Sequence, residues 1–146
     1  MSKYLSFLLL SAALFANDTQ VFCSDPSEYI VKDDTQSSTY RNCKRNGMTY
    51  WYTDTGKIKS QVNFIDGQEN GLYTSFYDNG VKKLVVQYVK GQKDGLQQIF
   101  FDNGVLGSTV NYNMGRREGV MKEWDIEGYL YSEVYYKNNY KVGLKK

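Results

Sequence analysis

Histidine is absent from this chain of 146 residues, and cysteine and proline are scarce. Without an imidazole, the chain lacks the usual general base and the usual activator of a nucleophilic thiol or hydroxyl. Two cysteines alone make a poor metal site. The one proline, Pro26, stands near the N-terminus, so the rest of the chain is free to form continuous strand pairing. We therefore expect no enzymatic activity, no cofactor and no metal.

A basic stripe that could follow a phosphate backbone is also missing. The net charge is only +2. From Arg41 onward, charges of opposite sign stand side by side, as in Lys93-Asp94 and Arg117-Glu118. Residues 17–40 are acidic, with Lys32 as their only cation. This pattern argues against nucleic acid as a partner.

No apolar run is long enough to span a bilayer. Leu5–Phe15 is broken only by Ser6 and Ser11 and is far shorter than the roughly 20 residues that a membrane helix needs. It follows Lys3 and precedes small residues that fit cleavage after Ala13 or after Ala16. Residues 1–16 are therefore predicted to be a secretory signal peptide. The mature protein would be periplasmic or secreted.

Export gives the two cysteines a structural interpretation. Cys23 and Cys43 follow the predicted signal peptide, and an oxidising compartment favours a disulfide between them. Such a bridge closes a loop of about twenty residues and would contribute roughly 3 kcal/mol in the chain-entropy model. We assign residues 17–42 to an N-terminal cap tied down by this bridge.

Glycine, by contrast, is arranged with a strict period of 24 residues. All but one of the glycines, Gly107, fall into three series with that spacing. The series are Gly47, Gly71, Gly95, Gly119 and Gly143; Gly56, Gly80, Gly104 and Gly128; and Gly67, Gly91 and Gly115. A register kept without slippage indicates one small unit stacked about four times, over residues 43–146.

Each unit has the pattern of a β-hairpin. In the copy that starts at Gly71, two runs rich in β-branched and aromatic residues flank Asp78-Asn79-Gly80. Asn-Gly between such runs predicts a tight turn in which both residues adopt positive φ. The segment from Gly91 to Gly95 predicts a longer, charged connection to the next unit. The structural turn glycines are then Gly56, Gly80, Gly104 and Gly128.

The columns of the repeat predict which side chains are buried. Apolar residues at spacings of two and four along a strand point to one side of a pleated ribbon. The columns are Val62, Val86, Val110 and Val134; Phe64, Tyr88, Tyr112 and Tyr136; Leu72, Leu96, Val120 and Leu144; and Tyr52, Phe76, Phe100 and Trp124. We expect all four columns to share one face. The fold class is all-β.

The string from Gly67 to Gly91, G-x-x-x-G-L-x-x-x-F-Y-D-N-G followed by a late Tyr and Gly, resembles the variant MORN repeat. The resemblance covers about Tyr40 to the C-terminus. Over this range the chain is similar to bacterial proteins grouped as the YwqK-type toxin–antitoxin antitoxin family. It implies an elongated, twisted antiparallel meander of successive 24-residue hairpins. It also implies interaction roles: immunity or antitoxin partners in bacteria, and protein or lipid contacts near membranes for MORN repeats in general.

Aromatic residues are abundant, with 14 Tyr, 7 Phe and 2 Trp. We expect some of them on the face opposite the valines, where they either pack on the turns or form an exposed row that binds a partner. An arginine pair would then form a charged rim. The candidate partner-binding residues are Trp51, Tyr77, Ile99, Phe101, Arg116 and Arg117.

The first hypothesis is an exported, non-enzymatic module that binds another protein, either a cognate toxin or an envelope protein. The alternatives are a carbohydrate or cell-wall binding module, based on the aromatic hairpins, and peripheral lipid binding. Near-neutral net charge disfavours the last.

Overall fold

The computed structural model describes residues 29–144, and this part of the chain is all strand and turn. It contains thirteen strands, numbered in chain order. They are β1 Tyr29–Lys32, β2 Gln36–Arg41, β3 Lys44–Tyr52, β4 Ile58–Ile65, β5 Gln68–Glu69, β6 Gly71–Phe76, β7 Lys82–Val89, β8 Gln92–Phe100, β9 Leu106–Asn113, β10 Arg116–Arg117, β11 Gly119–Trp124, β12 Leu130–Lys137 and β13 Tyr140–Leu144. The predicted signal peptide lies outside the described residues.

The strands form one antiparallel sheet in which neighbours along the chain are neighbours in space. Its order is β1-β2-β3-β4-β6-β7-β8-β9-β11-β12-β13, while the short strands β5 and β10 pair with β4 and β9. Every connection is a hairpin. The prediction of an all-β meander built from hairpin repeats is confirmed.

One long edge of the sheet consists of two-residue turns. Both central residues of each turn have positive φ, near 50° at the first and between 67° and 83° at the second. The turns are Asn42–Cys43, Asp66–Gly67, Lys90–Gly91, Met114–Gly115 and Asn138–Asn139. These are type I′ turns, which match the twist of antiparallel strands. The predicted long connection from Gly91 to Gly95 is therefore wrong: the turn ends at Gly91, and β8 begins at Gln92.

The Asp-Asn-Gly turns form the opposite edge and differ from the prediction in backbone conformation. Only Gly80 has positive φ, at 85°, and Asn79 does not. The Gly80 N–H donates to the Tyr77 carbonyl, and the Tyr77 N–H donates to the Val81 carbonyl, both at 2.8 Å. This is a type I turn closed by a left-handed glycine rather than an Asn-Gly type I′ turn.

The glycine series that includes Gly47 and Gly95 lies at bulges within the sheet. Gly95 has a φ of 97° inside β8, beside the register shift between Val86 and Tyr88. Gly47 occupies the same place in β3 with a φ of 111°. A bulge increases the local twist and tolerates glycine at positive φ. These glycines bend strands and do not form loops.

Hydrogen bonds that recur every 24 residues join successive repeats at both edges of the sheet. On the type I′ edge, the Gly91 N–H donates to the Glu69 carbonyl and the Gly115 N–H to the Lys93 carbonyl, each at 2.8 Å. On the other edge, Asn79 Nδ2 donates to the Asp102 carbonyl at 2.8 Å. Each turn therefore holds the next one, which gives the array its regular stacking.

Valine forms a row across the centre of one face, which we call the aromatic face. Val62, Val86, Val110 and Val134 are all buried, and Val86 is 0% exposed. The rings of Trp51 and Phe64 approach to 6.5 Å on the same face as Val62. Within residues 29–144 no second layer covers the valines, so large neighbours on the same face exclude water from them.

The predicted leucine column lies on the other face, so that part of the prediction is wrong. Tyr73, not Leu72, pairs with Val86, while Leu72 pairs with Gln87. Leu96 likewise pairs with Asn111. Successive side chains along a strand alternate between faces. The side that carries Leu72, Leu96 and Val120 is called the leucine face below.

At the N-terminal end, β1 pairs with β2 and β2 with β3, so the acidic segment does supply an edge strand. Cys43 occupies the second position of a type I′ turn, with a φ of 67°. It is not a free thiol. Cys23 lies outside the described residues, and its pairing with Cys43 stays a prediction.

Candidate interaction surfaces

A row of aromatic residues crosses the aromatic face beside the valines, close to the type I′ edge. Three of these rings carry a cation that stands 19 residues earlier in the chain, within the same repeat. Arg117 lies 4.2 Å from the Tyr136 ring centroid, Lys93 lies 5.0 Å from that of Tyr112, and Arg45 lies 5.4 Å from that of Phe64. Each such contact contributes about 0.5–1 kcal/mol at a partly exposed site. The row is therefore rigid.

At the corresponding position of the second repeat, next to Tyr88, the chain has Glu69 instead of a cation. Burial raises the pKa of the Tyr88 phenol, and the Glu69 carboxylate raises it further. Tyr73 packs edge-on against Tyr88, with ring centroids 6.3 Å apart. Tyr88 therefore stays a neutral donor throughout the physiological range, and the second repeat differs in charge from the others.

Lys93 also supports the centre of the aromatic face. Its Nζ donates to Gln97 Oε1 at 2.8 Å, and Gln97 is a buried member of the valine row. Burial lowers the pKa of the Lys93 amine. Gln97 thus has a charged partner in place of the water it would otherwise need.

A slot opens in the aromatic face at the first repeat. Trp51, Lys59, Ser60 and Tyr73 line it, and its volume is about 300 Å³. Ser60 forms its floor and pairs with Ser75 of the next strand. Lys59 is the extra residue of a bulge, because Trp51 pairs with Ser60 while Tyr52 pairs with Ile58. The slot combines two aromatic walls, one floor hydroxyl and one cation.

The six residues predicted to bind a partner do not form one site. Trp51 and Ile99 lie on the same face as the valines, which corrects the expectation that they lie opposite. The other four candidates lie at the two long edges of the sheet. Tyr77 and Phe101 flank the Asp-Asn-Gly turns, and Arg116 and Arg117 form β10.

Tyr77 links its own hairpin to the next one, whereas Phe101 packs within its own hairpin. The Tyr77 hydroxyl donates to the Phe100 carbonyl at 2.8 Å, and Lys83 Nζ lies 5.3 Å from the Tyr77 ring centroid. The Phe101 ring covers Gly107, where an added Cβ would meet it at 3.0 Å. Both rings are half-buried, so they stabilise the turn edge.

The leucine face carries exposed apolar side chains that the sequence analysis placed in the core. Leu72 is 53% exposed and Leu96 is 44% exposed. The two lie one repeat apart, which is two strand spacings or about 10 Å. Ile65 and Tyr135 are exposed on the same side of the sheet. A regular set of exposed apolar side chains marks a surface for interaction.

Within residues 29–144, no group of acidic or cysteine side chains has the arrangement of a metal site. The aspartates of the Asp-Asn-Gly turns stand one per turn, as turn-forming residues do. No helix in the described part of the chain has the length and hydrophobicity needed to cross a bilayer.

A family model described as the MORN repeat variant matches residues 45–66, 69–90 and 93–114. Three segments of the chain are thus similar to the variant MORN repeat. Each matched segment begins in the first strand of a hairpin and ends at the next type I′ turn, so the family's unit coincides with the unit in the sheet. Repeats of this family generally mediate protein or membrane contacts and are not enzymes.

Among solved structures, the chain is similar to one chain in the crystal structure of a GtfA/B complex bound to UDP and GlcNAc. The identity is 13% and the TM-score 0.41, over 87% of this chain and 25% of that chain. The present chain thus spans a quarter of the length of that one, and the similarity carries no argument about function. No curated protein matches the sequence.

Proposed function

We propose that this chain is an exported, non-enzymatic MORN-repeat module that binds another protein on its leucine face. The exposure of Leu72 and Leu96 is the observation that carries the proposal. Full burial of a leucine side chain is worth about 1.5–3 kcal/mol, so leaving two of them in solvent serves stability poorly and binding well. Gln87 lies between them and supplies a polar contact.

The favoured partner is a protein of the cell envelope. Export supports this choice, because an antitoxin of the YwqK type would meet its toxin in the cytoplasm. An immunity role toward a cognate toxin is the second candidate, and it rests on the family resemblance alone.

A photo-reactive residue at Gln87 tests the surface directly. In envelope extracts, we expect one dominant crosslinked protein, and we expect the Leu72→Asp/Leu96→Asp variant to lose it. Ile126→Asp is the matched control, because Ile126 is 47% exposed but lies at an Asp-Asn-Gly-type turn. Equal crosslinking by the double variant and the control would refute binding at the leucine face.

Export is tested separately by the mass of the mature protein. Expression of the full chain in a bacterium with a periplasm should give a product that begins at Leu14 or at Asn17, recovered by osmotic shock. An intact N-terminus in the cytoplasmic fraction would refute export and leave the binding surface to be judged on its own test.

A further inference from the structure

The slot on the aromatic face exists because the repeat is irregular at Ser75. Its partner Ser60 follows the repeat, which has serine again at Ser108 and Ser132. Ser75 stands where the other repeats have Trp51, Ile99 and Glu123. Ser60 stands in the same column as Leu84. The pairing of Ser60 with Ser75 places two small residues side by side, and the space that larger side chains fill elsewhere stays open.

The walls of the slot are held in place before any ligand arrives. The Trp51 ring contacts the Phe64 ring at 6.5 Å with a 57° tilt, and the Tyr73 ring contacts the Tyr88 ring at 6.3 Å with a 67° tilt. Such tilted contacts restrict both side chains, so ligand binding would cost little additional side-chain entropy.

The two walls stand on strands that flank β4, one on each side. Trp51 on β3 is level with Ser75 on β6, and Tyr73 stands two residues before Ser75, so the backbones of Trp51 and Tyr73 are about 12 Å apart. A saturated ring in van der Waals contact with both walls needs about 7–8 Å. The volume of about 300 Å³ is that of a small ligand subsite.

We propose that this slot binds one pyranose ring of an acidic saccharide. The C–H faces of a pyranose pack on the rings of Trp51 and Tyr73, and its hydroxyls exchange hydrogen bonds with Ser60. Lys59 at the rim pairs with a carboxylate on the sugar. This site lies on the face opposite Leu72, so it is independent of protein binding to the leucine face.

The Thr49 hydroxyl is buried close to Trp51 in the sheet but does not line the slot. Thr49 is 0% exposed, and its Oγ1 is buried without a hydrogen-bond partner in the described part of the chain. It lies on the aromatic face, opposite Val62 and two residues before Trp51. An unmet hydroxyl of this kind costs the fold about 1–3 kcal/mol, and saccharide binding in the slot does not depend on it.

Titration of the ¹⁵N-labelled chain with tetragalacturonic acid tests the proposal, with maltotetraose as the neutral probe. We expect the indole N–H resonance of Trp51 to shift saturably with both probes. Trp124 is an internal control and should not shift. Lys59→Ala should weaken tetragalacturonate binding about two- to fivefold, the range of an exposed ion pair, and leave maltotetraose unchanged.

Two variants separate the slot from a general loss of fold. Ser75→Ile fills the slot with the residue that the next repeat carries at Ile99, so the variant should fold and lose both saccharides at least tenfold. Ser108→Leu adds similar bulk outside the slot and should bind as the parent chain does. Tetragalacturonate binding that survives Ser75→Ile, or the absence of a Trp51 shift with either probe, would overturn the proposal.

Discussion

Gly80 and Gly143 show at the scale of single residues why the glycine lattice matters. A Cβ added to either would meet no heavy atom within 4 Å, but φ is +85° at Gly80, whereas Gly143 is not among the positive-φ glycines. Any difference between alanine substitutions at these sites therefore reflects backbone conformation and not steric overlap.

We expect Gly80→Ala to lower the free energy of unfolding by about 1–2 kcal/mol, because a side chain at positive φ is strained. Gly143→Ala should leave it unchanged within about 0.5 kcal/mol. Urea denaturation followed by tryptophan fluorescence measures both. Equal effects at the two sites would contradict the positive φ assigned to the Asp-Asn-Gly turn.

Asp33 ties the turn between β1 and β2. Its Oδ1 accepts from the N–H of Thr35 at 2.7 Å, from the Thr35 hydroxyl at 2.7 Å and from the N–H of Gln36 at 2.8 Å. These hydrogen bonds, led by that of the Thr35 hydroxyl, lower the pKa of the Asp33 carboxyl below 3.8. The charged form is thus favoured in the folded state.

A lowered carboxyl pKa contributes stability that is present above about pH 4 and is lost as pH falls through the folded-state pKa. We therefore expect the Thr35 and Gln36 amides to lose protection from hydrogen exchange between about pH 4 and pH 2, after correction for the intrinsic exchange rate. Asp33→Ala should remove this pH dependence, whereas Asp34→Ala should keep it. Persistence of the dependence in Asp33→Ala would exclude Asp33 as its origin.

At the scale of the hairpin, asparagine links one turn to the next. Asn79 Oδ1 accepts from the Val81 N–H at 3.0 Å, and its Nδ2 donates to the Asp102 carbonyl at 2.8 Å. Asn103 repeats both contacts with Val105 and with the Ile126 carbonyl. The same side chain therefore shapes its own turn and holds the following one.

Asn79→Ala and Asn103→Ala should each lower the free energy of unfolding by about 1 kcal/mol, since each removes two hydrogen bonds at an exposed site. Asn113→Ala is the matched control, because Asn113 is exposed and its side chain makes no hydrogen bond in the described residues. Urea denaturation gives the three values. A loss at Asn113 equal to that at Asn79 would contradict the turn-to-turn linkage.

The period of the hairpins could be predicted from the sequence, but the facing of their side chains could not. Glycine marks type I′ turns, Asp-Asn-Gly turns and bulges alike, so spacing alone did not separate Gly91 from Gly95. The bulge at Lys83 adds one residue to β7 and reverses the alternation beyond it. This is why Leu72 was expected beside Val86 and lies on the other face.

The same limit applies to the candidate sites. The abundance of aromatic residues predicted that some rings lie at the surface. The slot, however, depends on Ser60 facing Ser75, fifteen positions away in the sequence. That pairing follows from the Asp66–Gly67 turn and from the register shift between β5 and β6 where they pair with β4. The exposed leucines were missed for the same reason, because hydrophobicity alone indicates burial.

At the scale of the whole molecule, stability accumulates from repeat to repeat. A central strand such as β7 has a partner on each side, whereas β13 pairs only with β12 within the described residues. Stacked repeats lose order first at their ends.

We therefore expect amides in β7 and β8 to exchange at least about tenfold more slowly than those in β12 and β13, since the ends open at lower free-energy cost. Hydrogen exchange read by mass spectrometry at neutral pH measures the gradient. Uniform exchange along the chain would indicate a single cooperative unit instead of a stacked array.

The central claim is that one register repeats across the sheet and turns the valines to the aromatic face. Cross-strand nuclear Overhauser effects between backbone protons test it most directly. The account predicts pairing of Thr49 with Val62, Tyr73 with Val86, Gln97 with Val110 and Met121 with Val134. Pairing of Leu72 with Val86 and Leu96 with Val110 would contradict it, because a shift of one residue would bury the leucines and remove the proposed binding surface.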